Sequence, residues 1–528
     1  MSGVQQTTDN DTPYTRGEDS GQNQWTWQHY NATVGYDGTF GRHVVSASAG
    51  ILYNIYKTDF SQNGAAGKMV EYRHMTVNGA VNYAYDDRYV ATFSFAADGS
   101  DNYRPGNRWG FYPSLGLGWI VSRERFLRDS RMVDLLKLRA SVGKNGWDPM
   151  GEMRYLWEGY YTGRGGLNTG NSEHTWHGGT ALSYLPNPDV FAEKSLKYDA
   201  GIDLRLWNRL SLNVDLFLEK RSGIVTQDWM IPGASGVDNP PYRNIGRMTN
   251  KGFEVQLSWA DRIGDFNYAL TGMASYNSNK VDYMAEVVTV PTAARTGRRL
   301  DALFGYVADG FYDWDDFDVG GELREGLPKP TFGAVQPGDI KYKNLNGDTV
   351  IDENDQTAIG DSYLPKLQYS FSLAASYKGF DLFALFQGAA GRDVNLLDAP
   401  LQNVAFRDNG NVYGIAEGRW AYYPEQGIDT RATATYPRLS LQDNSNNYRN
   451  STLWKRSGDF LKLRNVELGY TFAQPSLSKA GISKIRIYLS GVNLLTVSRL
   501  MRDYDIDPEI LSGHPALKSY NLGLTVTF

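Results

Sequence analysis

About fifteen stretches of this chain alternate apolar and polar residues with a period of two, each near or above the roughly 9 to 11 residues that a tilted strand needs to cross a bilayer. They fall at roughly 26–37, 43–56, 69–85, 88–98, 109–122, 134–143, 195–206, 209–222, 250–260, 265–279, 366–377, 380–391, 460–472, 484–494 and 518–528. Strands of soluble proteins typically run about 5 or 6 residues, so length alone sets this pattern apart. In "RLSLNVDLFLEK", Leu210, Leu212, Val214, Leu216 and Leu218 share one face and Ser211, Asn213 and Asp215 the other. The last strand repeats the pattern, with Tyr520, Leu522, Leu524, Val526 and Phe528 opposite Ser519, Asn521, Gly523, Thr525 and Thr527. In "FLKLRNVELGYTF" Leu461 and Leu463 are out of phase with Val466, Leu468, Tyr470 and Phe472, which predicts a β-bulge near Asn465.

The connections add a parity. Tight links ("FGR", "DD", "WNR", "DRIGD", "KG") alternate with long ones at 56–68, 99–108, 144–194, 223–249, 280–365, 392–459 and 495–517. A sandwich has no reason to keep that order, whereas an outer-membrane barrel places short turns in the periplasm and long loops outside the cell. The predicted class is therefore all-β, an antiparallel transmembrane β-barrel. With long loops outside, the final strand descends and leaves Phe528 at the periplasmic rim. The first strand, "QWTWQHYNATVGYDG", descends as well, so residues 1–24 are expected to be the remnant of an extracellular loop and 25–528 the C-terminal majority of the barrel. The same parity predicts further chain upstream.

Composition agrees. Hydrophobic residues make up only 41% of the chain while aromatics reach 13% and glycines number 56, a mix that favours strands and turns. No run of about 18 apolar residues exists, which excludes a transmembrane helix and leaves a barrel open. The absence of cysteine fits an exported chain. The net charge of −6 is spread among mixed signs, so no basic patch for nucleic acid is present. The first 22 residues have neither the basic nor the apolar region of a signal peptide.

Several stretches carry possible chemistry. In "NLNGDTVIDEND", Asn344, Asn346, Asp348, the Val350 backbone, Asp352 and Asp355 occupy positions 1, 3, 5, 7, 9 and 12 of a calcium loop. Asn at position 1 and Thr349 where the turn normally has Gly depart from that pattern, and an unoccupied acidic turn is the competing reading. No cofactor is otherwise required. The long loops hold Trp147, Trp157, Tyr160, Tyr161, Trp176, Trp229, Tyr312 and Trp314. Flat rings of this kind stack on sugars or peptide side chains, or simply pack the loops together. In "FYDWDDFD", Asp313, Asp315, Asp316 and Asp318 could in principle supply a glycosidase pair, but four acids on one loop read better as a solvated face or a cation site. Neither a nucleophile constellation nor a zinc-type His spacing occurs, so an enzyme is not expected.

The blocks "YAYDDRYVATFSFAADGS", "NRWGFYPSLGLGWIVS", "LLKLRASVGKNG", "NIGRMTNKGFEVQL", "GDIKYKNLNGDTVIDENDQTAIGD", "FLKLRNVELGYTF", "IRIYLSGVNLLT" and "YDIDPE", in this order and followed by the terminal strand, resemble the C-terminal barrel of SusC-like TonB-dependent outer-membrane receptors. The resemblance implies a barrel of the 22-stranded class, with about seven strands and the plug not represented here. It implies import of oligosaccharides or peptides, driven by the TonB complex through the plug, with a SusD-like lipoprotein as lid. Tyr520, Leu522, Leu524, Val526 and Phe528 then look like the signal read by the barrel assembly machinery. The competing readings are a plugless passive pore or barrel remnant, and a surface adhesin or carbohydrate-binding β-protein.

Overall fold

The computed structural model describes residues 3–8, 24–58, 70–148, 155–159, 161–169, 175–182, 184–232, 239–288, 290–398, 403–406, 410–441, 444–472, 481–514 and 516–528. Sixteen strands hydrogen-bond in chain order within one sheet. They are β1 (Gly3–Thr8), β2 (Gln24–Phe40), β3 (His43–Thr58), β4 (Val70–Tyr85), β5 (Tyr89–Ser100), β6 (Trp109–Ile120), β7 (Val133–Trp147), β8 (Glu193–Leu206), β9 (Leu210–Gln227), β10 (Tyr242–Ile263), β11 (Phe266–Tyr283), β12 (Leu367–Tyr377), β13 (Phe380–Ala390), β14 (Phe460–Phe472), β15 (Lys484–Ser498) and β16 (Ser519–Thr527). All fifteen expected strands are present. The addition is β1, which pairs antiparallel with β2 from Gly3↔His29 to Thr8↔Gln24, so part of the stretch expected as a loop remnant carries sheet hydrogen bonds instead.

The chain divides into two compact units, one of Met1–Arg205, Asp215–Lys251 and Val281–Val287, the other of Leu206–Val214, Gly252–Lys280 and Val288–Phe528. In the first, the pairings from β1 through β7 are antiparallel and fix one set of side chains outward. On β6 the exposed set is Trp109, Phe111, Leu115, Leu117 and Trp119, with a tryptophan at each end and apolar residues between. At about 3.3 Å per residue and a tilt of roughly 40°, the two tryptophans stand about 25 Å apart across the membrane, the height of an outer-membrane apolar band with its aromatic girdles.

In the second unit β14 pairs with β13 and β15, and both ladders shift register around Arg464, between Leu385 and Phe386 on one side and between Leu463 and Asn465 on the other. This is the bulge that the broken alternation predicted. Its partner ladder β15–β16 sets Leu489 opposite Leu522 and Ile487 opposite Leu524, so the apolar face of the last strand continues that of its neighbour.

Tight turns connect the strands on one side. Asp86 and Asp87 have φ of 53° and 52°, Trp207 and Asn208 each 52°, and Lys378 and Gly379 46° and 91°. Left-handed backbone of this kind matches the twist of the strands that it joins. On the other side the expected loops contain structure of their own. Within 144–194 a hairpin forms from Tyr161–Thr169 and Thr175–Leu182.

In the second unit, segments of 280–365, 392–459 and 495–517 pack around a core of Tyr306, Ile340, Tyr342, Ile351, Leu396 and Trp454, among others. Aromatic contacts and short ladders close this body, including Tyr436 edge-on to Trp454 at 5.4 Å. Its polar centre is Asp339, fully buried. Arg438 Nε lies 2.7 Å from Asp339 Oδ1, Asn444 and Asn447 donate to the same oxygen at 3.0 and 2.9 Å, and the Gln336 amide donates to Oδ2 at 2.8 Å. A buried carboxylate is tolerated only when charge and donors meet it in this way. A second anchor ties the last loop to the sheet: Lys462 of β14, itself buried, donates to Asp507 at 2.7 Å and to Glu509 at 2.7 Å, and Arg464 pairs with Glu509. Burial pushes the Glu509 carboxyl up, but hydrogen bonds from Arg464 and Lys462 outweigh it and hold Glu509 below the usual carboxylate range.

Two outcomes follow from these anchors. Asp339→Ala leaves Arg438 unpaired in the loop body, and local opening should become easier by about 3 kcal/mol; amide exchange in the segments flanking 340 and 447 is then expected to speed up about a hundredfold. Because the Glu509 pKa is depressed, its contribution is complete above the unfolded value of about 4.3 and is lost only as pH falls through the lower folded value. Short pepsin pulses should therefore leave 505–511 intact at pH 5 and begin to cut there only below about pH 4.

Candidate functional site

The face of β2–β5 opposite the exposed apolar residues carries two rows that cross the strands. Trp27 pairs with Tyr56 and Tyr56 with Tyr72, so three rings stand side by side on neighbouring strands. Two residues along, His29 pairs with Asn54, Asn54 with His74 and His74 with Ser100. Directly paired side chains lie about 5 Å apart and successive same-face positions about 7 Å apart, which places a shelf of rings beside a polar edge. Trp27 meets His29 edge-on at 5.6 Å and Tyr72 stacks on His74 at 6.2 Å.

The polar edge is internally paired. His29 Nδ1 lies 2.8 Å from Asn54 Oδ1, His74 Nε2 lies 2.8 Å from Asp98 Oδ2, and Thr76 donates to Asp98 Oδ1 at 2.6 Å. Beside the rows, Asp148 gathers four donors. Its Oδ1 accepts from Asn102 at 2.9 Å and Tyr103 at 2.8 Å, and its Oδ2 from Tyr72 at 2.6 Å and Ser100 at 2.5 Å. A carboxylate offers about four lone-pair sites, and here all are engaged. Burial, with Asp148 alongside, pushes the Tyr103 phenol above its ordinary range. Asn102 Oδ1 in turn accepts from the Tyr155 amide at 2.8 Å. Asp148 thereby fixes the 101–108 connection and the start of the next loop against the strand ends. A cavity of about 590 Å³ opens between the ring row and Trp147.

The loop aromatics named from sequence do not form one group. Trp147 lines this cavity. Tyr161 and Trp176, on the two strands of the loop hairpin, and Trp229 and Trp314 are exposed. Trp157 is half-buried next to buried Leu156, and its indole Nε1 has no hydrogen-bond partner among the described residues. Tyr160 lies outside the described residues. Tyr312 departs from the expected role: it is buried against Phe317, Leu323 and Val335, and its ring meets Phe317 edge-on at 6.0 Å. That placement follows from the apolar Phe317 and Leu323 that surround the acids in sequence, and it leaves Tyr312 no free face for a ligand. Burial and the neighbouring Asp316 and Asp339 carboxylates push its phenol up to about 12.

The acidic stretch is spent on its own backbone. Asp313 accepts from the Trp314 amide, Asp316 from the Asp313 amide and Lys341, and Asp318 from the amides of Gly320 and Glu322. Asp313, Asp316 and Asp318 thus serve as caps of the backbone around them.

The calcium-like loop folds similarly. Asn344 accepts from the Gly347 amide, Asn346 from the Asp348 amide, Asp348 from the Val350 amide and Asp352 from the Asn354 amide. Asp355 is fully buried and accepts from the amides of Leu345 and Asp352 at 2.7 and 2.9 Å. No group of three or more acidic or histidine side chains is poised to hold a metal among the described residues. Sequence reading missed Trp27, Tyr56, Tyr72, His74 and Asp98. The available signal was the parity of β2–β4, since Trp27, Tyr56 and Tyr72 break the small or polar pattern expected on the non-lipid face.

Comparison with known proteins places this geometry in a family. The family model for the TonB dependent receptor-like β-barrel matches residues 2–385. TonB-dependent receptor P3 of Formosa agariphila is 26% identical over 554 residues, covering 93% of this chain and 51% of that protein. TonB-dependent receptor SusC of Bacteroides thetaiotaomicron is 26% identical over 486 residues, covering 85% of this chain and 43% of its own length. Among solved structures, the RagAB peptide importer in its open-open state superposes with a TM-score of 0.71 at 20% identity, over 96% of this chain and 55% of that one. The chain spans about half the length of the curated relatives it matches. With its sequential antiparallel sheet, outward apolar band and long loops on one side, the chain belongs to the TonB-dependent receptor-like β-barrel family of the outer membrane, in its SusC-like branch.

Proposed function

We propose that this chain supplies the membrane wall and the extracellular loops of a SusC-type importer of oligosaccharides or peptides. A SusD-like lipoprotein acts as the lid over those loops, and the TonB complex drives transport through an N-terminal plug. Family membership across residues 2–385 carries this reading. The packed loop body of the second unit supports it, because a partner-docking surface must hold its shape. The apolar face of β16, ending in Phe528, serves as the signal for the barrel assembly machinery and afterwards meets lipid. A Ca²⁺ ion bound by oxygens of Asn344, Asn346, Asp348, Asp352, Asp355 and the Val350 carbonyl would stiffen the loop that they share.

Deleting the gene, or removing TonB, is expected to abolish energy-dependent uptake of at least one labelled oligosaccharide or peptide. Uptake that persists without TonB would instead identify a passive pore. For the calcium loop, chelator should accelerate cleavage between 344 and 355 by added protease; unchanged cleavage rejects the ion.

A further inference from the structure

We propose that residues 121–132, the link between β6 and β7, seat the wall on the periplasmic leaflet, with Phe126 at the acyl boundary and Arg125 and Arg128 on the phosphates of anionic phospholipids. The inference goes beyond the importer reading and depends only on the outer-membrane barrel. Position comes first. The link lies on the rim of the tight turns, since Arg123 pairs with Asp87 at 2.7 Å and Arg88 Nη1 donates to Glu124 at 3.0 Å. It is also clipped to the outer side of that rim. Tyr89 and Trp119 pair directly across β5 and β6 and are both exposed on the lipid face. Glu124 Oε1 accepts from the Tyr89 hydroxyl at 2.6 Å and from the Trp119 indole at 3.1 Å. From there the amides of Leu127 and Arg128 return to the Glu124 carbonyl at 3.0 and 2.8 Å, a turn that carries Arg125 and Phe126 directly beyond the girdle contact.

Charge and exposure agree with that place. Within the link Arg123, Arg125, Arg128 and Arg131 stand against Glu124 and Asp129, an excess of cations in a chain whose net charge is −6. The acids of the neighbouring turn are engaged, Asp86 by Arg42 and Arg88 and Asp87 by Arg123. Arg125 is exposed and makes no ion pair among the described residues. Arg128 meets Asp129 at 3.4 Å with both side chains open to solvent, a pair that screening leaves weak. Guanidinium groups take phosphate oxygens through paired N–H donors. Phe126 is 72% exposed, which is unfavourable for a phenyl ring in water and ordinary for one at the headgroup boundary. A protein partner could take the same arginines, but continuity decides: the ring follows on a contact with Trp119 and Tyr89, whose exposed faces already belong to the lipid interface.

The test uses the full-length protein purified from outer membranes, and heat-modifiable migration on gels confirms that each variant is folded. In the first arm Phe126→Cys carries an environment-sensitive fluorophore, any cysteine upstream being replaced by serine, since residues 1–528 contain none. In vesicles of phosphatidylcholine and phosphatidylglycerol, phospholipids brominated on their acyl chains should quench the label by about a third or more, and aqueous iodide should reach it poorly. Quenching by iodide and not by the brominated lipids overturns the seat. Shielding that appears only when a periplasmic extract is added overturns it too, in favour of a protein partner. In the second arm the protein in neutral detergent receives equal phosphatidylglycerol and phosphatidylcholine, and retained lipid is counted by native mass spectrometry. The wild type should keep phosphatidylglycerol in about fivefold preference, the double variant Arg125→Gln/Arg128→Gln about twofold or less, and Arg125→Lys/Arg128→Lys, which preserves the charge, about threefold or more. Equal retention of the two lipids by the wild type, or a preference unmoved in the glutamine variant, overturns the phosphate contact.

Discussion

Lipid offers no hydrogen bonds, so each amide and carbonyl of a membrane-crossing strand must find its partner on a neighbouring strand. That constraint organises the chain. It demands long strands, it forces them to pair in sequence, and it confines departures from the ladder to places where side chains or loops can compensate. The shift at Arg464 is such a place. Bulges re-aim side chains, and here Arg464 and nearby Lys462 both reach Glu509, so the irregularity in the wall is also where the last long loop is fastened.

Outside the bilayer the same accounting continues with different currency. The loop body cannot rely on ladders alone, because its strands are two to four residues long. It uses buried polar centres instead. Asp339 joins segments about a hundred residues apart in sequence through Arg438, Asn444 and Asn447, and Asp148 joins the strand ends at 72 and 100 to the loop residues at 102 and 103. Both are carboxylates met by several donors, which specify one arrangement of loops and penalise any other that leaves the charge bare.

The strands were legible because period two is a property of single residues. All fifteen expected strands, and the displaced phase near Asn465, could be read without knowing any neighbour. What the loop residues do depends on contacts that spacing does not encode. Tyr312 and Trp314 stand two apart in one acidic stretch, yet one is buried and the other exposed, because Phe317, Leu323 and Val335 close over the first. Trp27 was hidden for the opposite reason. It sits inside a strand, where an aromatic reads as part of a girdle, although its parity sets it opposite Val34 and Tyr36, and its pairing with Tyr56, which in turn pairs with Tyr72, completes the row. In "FYDWDDFD" the reciprocal caps of Asp313 and Asp316 are likewise contacts that composition does not give.

The left-handed turns at 86–87, 207–208 and 378–379 bear on how such a wall is assembled. A link of two or three residues costs little closure entropy, whereas the connections of eighty or so residues cost more and must also fold a body of their own. Pairing across the tight turns therefore carries the smaller closure cost, and pairing across the long insertions the larger. In terms of chain entropy the wall divides into two-strand staves, each closed by a link of a few residues, so that much of a very large sheet rests on contacts that are local in sequence.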